Sequence, residues 1–408
     1  LKGTEDRLLT KDFSLVCLSN FLAFFSIYMV IPILPVFLEE RAYSNAFIGF
    51  LMSVATMVAL FRPFFGRLAD NYGRKQLLAA GTMLLGLSTF LYASFSTAIP
   101  LLIIRFLNGC GLAAFHTAAY AMVGDLAPPR RRLQAIAIFY ISVDVSIALA
   151  PPAAEAMRLA WGYTPVYLLS GAIALLSFLA SLQIRETGTA AKAGLVKEGR
   201  RRFTSLQKAI YTVTMGFTLT FGSLQTFIVI STMSKGMDQG ELFFTVFAAT
   251  LIAFRLGVGR RADAIDRRRL VLASGIVTLA GLVILAYAGS LALLLSGSLI
   301  YAIGFAYLPT TLSALLLDHT PADMRGSALG IFMAVFDVGI GLGGIALGPV
   351  ADSLGYTSMY LLGGAMAAMS LAYFLVRTAS AALPSMPAAD PTQGGKDERR
   401  SLLPGENG

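Results

Sequence analysis

The 408-residue sequence predicts an all-α polytopic membrane protein, with twelve transmembrane helices in two parallel six-helix bundles and both termini cytoplasmic. Three observations predict it. The chain is 56% hydrophobic and only 13% charged, against about 25% charged in an ordinary soluble domain, so lipid must take up the apolar surface. Apolar runs of about 20 residues, the length of a bilayer-spanning helix, fill the chain and lack the short alternation of barrel strands. Finally, the chain repeats itself: shifted by 193 positions, spans 2 to 6 lie over spans 8 to 12 without a gap.

In order along the chain, 1–12 is a charged cytoplasmic segment, and the start "LKGTEDRLLTKDF" (1–13) lacks a signal-peptide cleavage site. The first bundle, 13–184, has spans at 13–37, 47–66, 77–96, 99–124, 133–157 and 165–184. Span 1 contains Pro32 and Pro35, which remove backbone donors and bend a helix, and two candidate cavity residues, Asn20 and Tyr28. The loop after span 2 reads "GRLADNYGRK" (66–75). Its Asp70 and Arg74 are four apart and can meet on one helical turn, and Asp125, at the end of span 4, offers Arg74 a second carboxylate. Span 4 carries Arg105 and His116, and span 5 carries Asp144, Pro151, Pro152 and Glu155. A polar, basic linker follows at 185–207.

The second bundle, 208–378, has spans at 208–234, 241–259, 270–290, 292–317, 327–351 and 358–377. Gln225 in span 7 and Tyr301 and Tyr307 in span 10 are further cavity candidates, chosen only for polarity or aromaticity, and Pro309 is a third hinge position. The charged loop returns as "GRRADAIDRR" (259–268), with Asp263 and Arg267; Asp318 ends span 10 and Asp337 lies in span 11. The tail, 379–408, is rich in Pro, Gly, Ser and Ala and reads as a disordered cytoplasmic segment.

The net charge of +9 reports topology. Of 32 Lys and Arg, only Arg41, Arg158 and Lys235 fall on one side of this arrangement, and Arg62, Arg105 and Arg255 fall within spans. The rest lie on the other side, which the positive-inside rule makes cytoplasmic. Nucleic-acid binding is excluded as the reason for the charge. Cys17 and Cys110 form no disulfide or zinc framework. No P-loop and no catalytic constellation occur, so the expectation is a non-enzyme with neither cofactor nor metal, working as a monomer in a lipid bilayer, the bacterial inner (cytoplasmic) membrane.

The repeat extends well beyond the loop. Asp125, Pro128, Arg132, Phe139 and Asp144 lie over Asp318, Pro321, Arg325, Phe332 and Asp337, and Phe61-Arg62 lies over Phe254-Arg255. Parallel repeats of this kind are a transporter architecture with the substrate site near the membrane midplane between the halves. Charges inside spans are costly and usually functional or paired. Arg62 and Arg255 stand close enough to the loops to snorkel to the cytoplasmic surface. Asp144 lies ~18 Å up span 5 from Arg132, where a carboxyl can carry a proton or hold the two halves together. Arg105, His116 and Glu155 have no charged repeat counterparts. By the same rise, Arg105 and Glu155 can pair near the outer side, and His116 is level with Asp144, giving a His–Asp pair able to exchange protons.

The first loop, with Gly66, Leu68, Ala69, Asp70, Gly73, Arg74 and Lys75 in place, resembles the signature loop of the major facilitator superfamily. The second copy keeps Gly259, Ala262, Asp263, Arg267 and Arg268 but has Asp266 where the glycine belongs. Three stretches resemble that family's drug:proton antiporter branch: "IPILP" (31–35), "RFLNGCGLAA" (105–114) and "SIALAPPAA" (146–154), the last with Ser146, Ala150 and Ala154 in place of glycines. The resemblance implies the major facilitator fold and proton-coupled efflux of a small amphipathic or cationic molecule by alternating access, with Arg105 taking part in proton coupling. It further implies that Asp70 sits against the N-terminus of helix 11 in the outward-open state, where a carboxylate is favoured, with Asp263, Arg267 and Asp318 as a mirror latch. The rivals are an uptake symporter or facilitator on the same fold and, from another class, a channel or transporter-like receptor.

Overall fold

The computed structural model describes residues 8–128, 131–187, 203–258, 266–321 and 324–379. The expected disordered tail beyond 379, most of the linker, and Gly259, Ala262 and Asp263 lie outside the described residues. Among these residues the regular structure is helical, and nine helices are long and apolar enough to cross a membrane.

The first half contains α1 (Lys11–Glu39), α2 (Asn45–Met57), α3 (Arg62–Tyr72), α4 (Arg74–Leu91), α5 (Ala98–Leu126), α6 (Arg132–Trp161) and α7 (Tyr163–Leu182). The second contains α8 (Ser205–Met233), α9 (Leu242–Ala253), α10 (Arg267–Ala286), α11 (Leu291–Asp318) and α12 (Arg325–Ala379). Helix α12 breaks at Gly355, whose φ of +78° is left-handed, so two helices meet there. Gly162, its partner under the 193-residue shift, has φ +81° and separates α6 from α7 in the same way. These two positions need glycine because a Cβ disfavours that backbone.

Local chemistry sets the helix starts. Thr10 Oγ1 accepts the Phe13 N–H, and Thr204 and Gln207 form a capping box at α8. The repeated loop shows why its copies diverge. Gly73, at φ +98°, has no side chain to cap α4; Glu186, just beyond α7, accepts the N–H groups of Arg74 and Lys75, each at 3.0 Å. In the second copy Asp266 occupies the glycine's place and caps α10 itself, accepting the Arg269 N–H at 3.0 Å. The substitution therefore replaces a borrowed cap with a built-in one.

Within lipid, apolar faces give helices little reason to prefer one another, so small and polar residues select the contacts. Ser19–Ser177 (2.8 Å) and Ser26–Ser170 (3.0 Å) join α1 to α7. Asn108 Nδ2 donates to Ser88 and Thr89, joining α5 to α4. Thr220–Tyr301 and Ser231–Tyr360 tie α8 to α11 and α12.

Across the halves, α2 packs on α12 and α9 on α6. Gly49 and Gly344 bring the α2 and α12 backbones into direct contact, Ser53 Oγ donates to Gly341 O at 2.5 Å, and Thr245 Oγ1 donates to Ala148 O at 2.8 Å. These contacts lie toward the end opposite the charged loops. There Asp352 accepts the N–H groups of Asn45 (2.7 Å) and Ala46 (2.9 Å), the first residues of α2, and the Tyr356 hydroxyl donates to Asn45 Oδ1 at 2.8 Å. A carboxylate from one half thus caps a helix of the other. The repeat counterpart of Asp352 is Leu159, so this latch is single. Asp352→Ala is expected to lose a cap of about 1 kcal/mol, favouring separation of this end by roughly fivefold; thiol labelling of cysteines placed behind Asn45 reads the change.

Candidate functional site

A cavity of about 310 Å³ lies between the halves. Its apolar wall includes Phe24, Tyr28, Phe221, Phe247, Phe305 and Phe336; its polar groups include Arg62, Arg105, Asn108, His116, Tyr140, Gln225, Arg255 and Asp337. A second cavity shares Arg62, His116, Tyr140 and Met333 with the first and reaches Tyr120, Leu329 and Gly330 toward the charged-loop end.

Two ion pairs bridge the halves at this cavity. Arg62 Nη1 meets Asp337 Oδ2 at 2.6 Å, and Arg255 Nε meets Asp144 Oδ2 at 2.6 Å. Arg62 and Arg255 are repeat counterparts, as are Asp144 and Asp337. The same pair is therefore built twice, with arginine and aspartate always contributed by opposite halves. The Arg255 guanidinium also lies 5.0 Å from the Tyr140 ring centroid, in cation–π range. The two carboxylates differ: the Asp144 side chain is 3% exposed and that of Asp337 16%, while each arginine is 29% exposed.

Several expected pairings are replaced. Arg62 and Arg255 do not snorkel away from the interior; each turns to a carboxylate of the other half, because an intramembrane charge gains more from a counter-charge within reach than from leaving a partner unpaired. His116 does not pair with Asp144, whose partner is Arg255. Its ring sits among Phe24 (5.5 Å, edge-on) and Phe139 (6.0 Å, stacked) on the cavity wall. Arg105 and Glu155 do not pair either. Glu155 is bound by Arg158 one turn away, whose Nε and Nη2 donate to its two carboxylate oxygens at 2.8 and 2.6 Å, and Arg158 Nη1 also reaches Glu40 at 3.6 Å.

Of the five cavity candidates, Tyr28 and Gln225 line the cavity. Asn20 is fully buried and holds α6, donating to Phe139 O and Ser142 Oγ. Tyr301 is buried against Thr220, and Tyr307 packs edge-on against Phe254. Polarity within a span marks stitching between helices as readily as it marks a cavity. At the charged loops, Arg74 pairs with Asp125 rather than Asp70, and Thr187 also donates to Asp125. Asp70 is exposed and in no ion pair among the described residues. Arg267 pairs with Asp318 at 3.0 Å. Gly66 has open space where a Cβ would stand. Pro32, Pro35, Pro151, Pro152 and Pro309 all lie inside helices.

Sequence reasoning missed the phenylalanine wall, Tyr140, Glu186 and Asp352. One available signal pointed to the ion pairs: two intramembrane arginines and two intramembrane aspartates, all kept by both repeats, balance in number and sign.

A cavity held between two repeat-related helical halves and bridged by charge pairs defines the class of membrane transporters. A model of the Major Facilitator Superfamily matches residues 16–243 and 210–404, and the chain belongs to that family. It is 20% identical over 370 residues to an uncharacterized MFS-type transporter of Methanocaldococcus jannaschii, covering 86% of this chain and 94% of that one. It is 26% identical over 251 residues, 58% of each chain, to Multidrug resistance protein 2 of Bacillus subtilis. Its fold matches that of the nucleoside transporter NupG (D323A mutant), with a TM-score of 0.76 at 14% identity over 90% of this chain and 99% of that one.

Proposed function

We propose that the chain is a secondary active transporter exporting a small amphipathic molecule in exchange for protons by alternating access. The observation that carries the reading is the pair of symmetric Arg–Asp bridges, Arg62–Asp337 and Arg255–Asp144, at the cavity between the halves. A proton taken by either aspartate removes the attraction holding its arginine, so proton binding and the relative position of the halves become one linked equilibrium. The similarity to Multidrug resistance protein 2 supports the efflux direction. Arg105, by the fourth-span resemblance, tunes the coupling; His116, on the cavity wall, and Glu155, held by Arg158, take part in it.

In this reading the twelve spans form bundles over 13–184 and 208–378 of a monomer in a bacterial inner membrane. The charged loops and both termini face the cytoplasm, and the proline-bearing α1, α6 and α11 flex as the halves rock. The sealed Gly49–Gly344 end is then external, so the structure corresponds to a state open toward the cytoplasm. Asp70, exposed here, engages in the opposite state. Asp70→Asn is expected to shift the balance toward the cytoplasm-open state by roughly two- to fivefold, the equivalent of about 0.3–1 kcal/mol for a charge at a helix end. Thiol labelling from each side, in a background without Cys17 and Cys110, measures it.

The test is flux in proteoliposomes. An imposed pH gradient should drive uptake of substrate against its own gradient into vesicles acidified inside; flux indifferent to the gradient rejects proton exchange. The substitutions Ser146, Ala150 and Ala154 in the fifth-span motif favour a same-fold uptake symporter as the second reading, and the opposite sign of coupled flux would establish it.

A further inference from the structure

The charges facing the cavity do not cancel. Arg62 and Arg255 are matched by Asp337 and Asp144. Arg105 also faces the cavity, is only 7% exposed, and takes part in no ion pair among the described residues. Its Nε has no hydrogen-bond partner, and the group it interacts with, the Tyr92 hydroxyl, is neutral and supplies no counter-charge. Asn108, one turn along α5, has its amide nitrogen committed to Ser88 and Thr89. The second repeat has Ser298 at the equivalent position, buried and bonded to Leu294 O. One end of the cavity thus carries a single unmatched positive charge.

We infer that the cavity takes an amphipathic organic monoanion, with its carboxylate or sulfonate head on Arg105 and its apolar body along the phenylalanine wall. A guanidinium in an apolar site costs several kcal/mol unless an anion joins it, and its planar fork matches a carboxylate with two parallel bonds. A cationic solute would add repulsion to the same cost. From Arg105 to His116, α5 rises ~16 Å, and Tyr28, Phe221, Phe247, Phe305 and Phe336 line the space alongside. The inference rests on the reading of this cavity as the transport site, and it replaces the cationic solute among the sequence expectations with an anionic one.

The test uses the full chain in phosphatidylcholine nanodiscs and three probes of equal tail: octanoate, octyltrimethylammonium and octanol. In the wild type, calorimetric titration should show octanoate binding at least tenfold tighter than octyltrimethylammonium. Arg105→Gln should weaken octanoate at least tenfold and leave octanol unchanged. Arg105→Lys, which keeps the charge and loses the fork, should fall between. A parallel titration with phosphatidylglycerol in the nanodisc separates the sources of the anion: displacement of octanoate by that lipid identifies a lipid headgroup as the occupant, and no displacement identifies a free solute. Equal or tighter binding of the ammonium probe in the wild type overturns the proposal without any variant, as does octanoate affinity unchanged by Arg105→Gln. Anion binding at Arg105 with flux blind to pH would reject proton exchange alone; pH-driven flux of a cation would reject the anion alone.

Discussion

Asp144→Asn is expected to lower pH-gradient-driven flux at least tenfold, with Asp337→Asn following it at a smaller loss. Each variant removes the carboxylate proposed to take the proton and leaves an arginine of the opposite half without its counter-charge. Breaking a fully buried pair costs about 3–5 kcal/mol. Here each arginine is 29% exposed and can rehydrate, so the cost to folding falls below that range and the protein should remain intact. The ranking follows from the carboxylates: Asp144 is 3% exposed and Asp337 16%, so water can substitute for the lost group more readily at Asp337. The exchanged pair Arg62→Asp with Asp337→Arg keeps the bridge and moves its carboxylate to α3. It should recover assembly and solute binding while altering the response to pH. Wild-type gradient-driven flux in both Asn variants would remove these aspartates from the coupling mechanism.

Gly49→Val and Gly344→Val are expected to be equally severe by a different route. At this crossing the α2 and α12 backbones touch, and a Cβ on either glycine would run into the backbone of the other. A valine cannot be absorbed by a rotamer change, since the obstacle is main chain on both sides. The halves should fail to close at the end opposite the charged loops. We expect at least a tenfold loss of flux, with more labelling from the Gly49–Gly344 end and less from the charged-loop end. Gly124→Ala, on α5 with open space at its Cβ position, serves as the control and should change flux less than twofold. Normal transport in the valine variants would mean that this contact is not part of the cycle.

Arg62 and Arg255 mark where sequence reasoning stopped. Both were visible as intramembrane charges, and so were Asp144 and Asp337, but the partners lie on opposite halves and nothing in local spacing joins them. Snorkelling was the cheaper explanation for an arginine near a loop, and it fails because a carboxylate is within reach. Asn20 and Tyr301 erred in the other direction: a polar atom inside a span must be satisfied, and a neighbouring helix satisfies it as well as a cavity does. Asp266 shows a readable difference with an unreadable reason, since the loss of the loop glycine makes sense only once Glu186 is seen capping the other copy.

The sequence by itself determined that this chain is helical, lies in a membrane and is built from two related halves. Lipid demands long apolar runs, and a duplicated segment keeps its register, so both properties are written along the chain in order. The tertiary structure alone decided which charge meets which, which glycines seal one end, and that Arg105, among the described residues, is left unmatched at a phenylalanine-lined cavity. Those outcomes depend on contacts between helices far apart in the chain, where close approach and the exclusion of water set the energies, and neither quantity has a local signature.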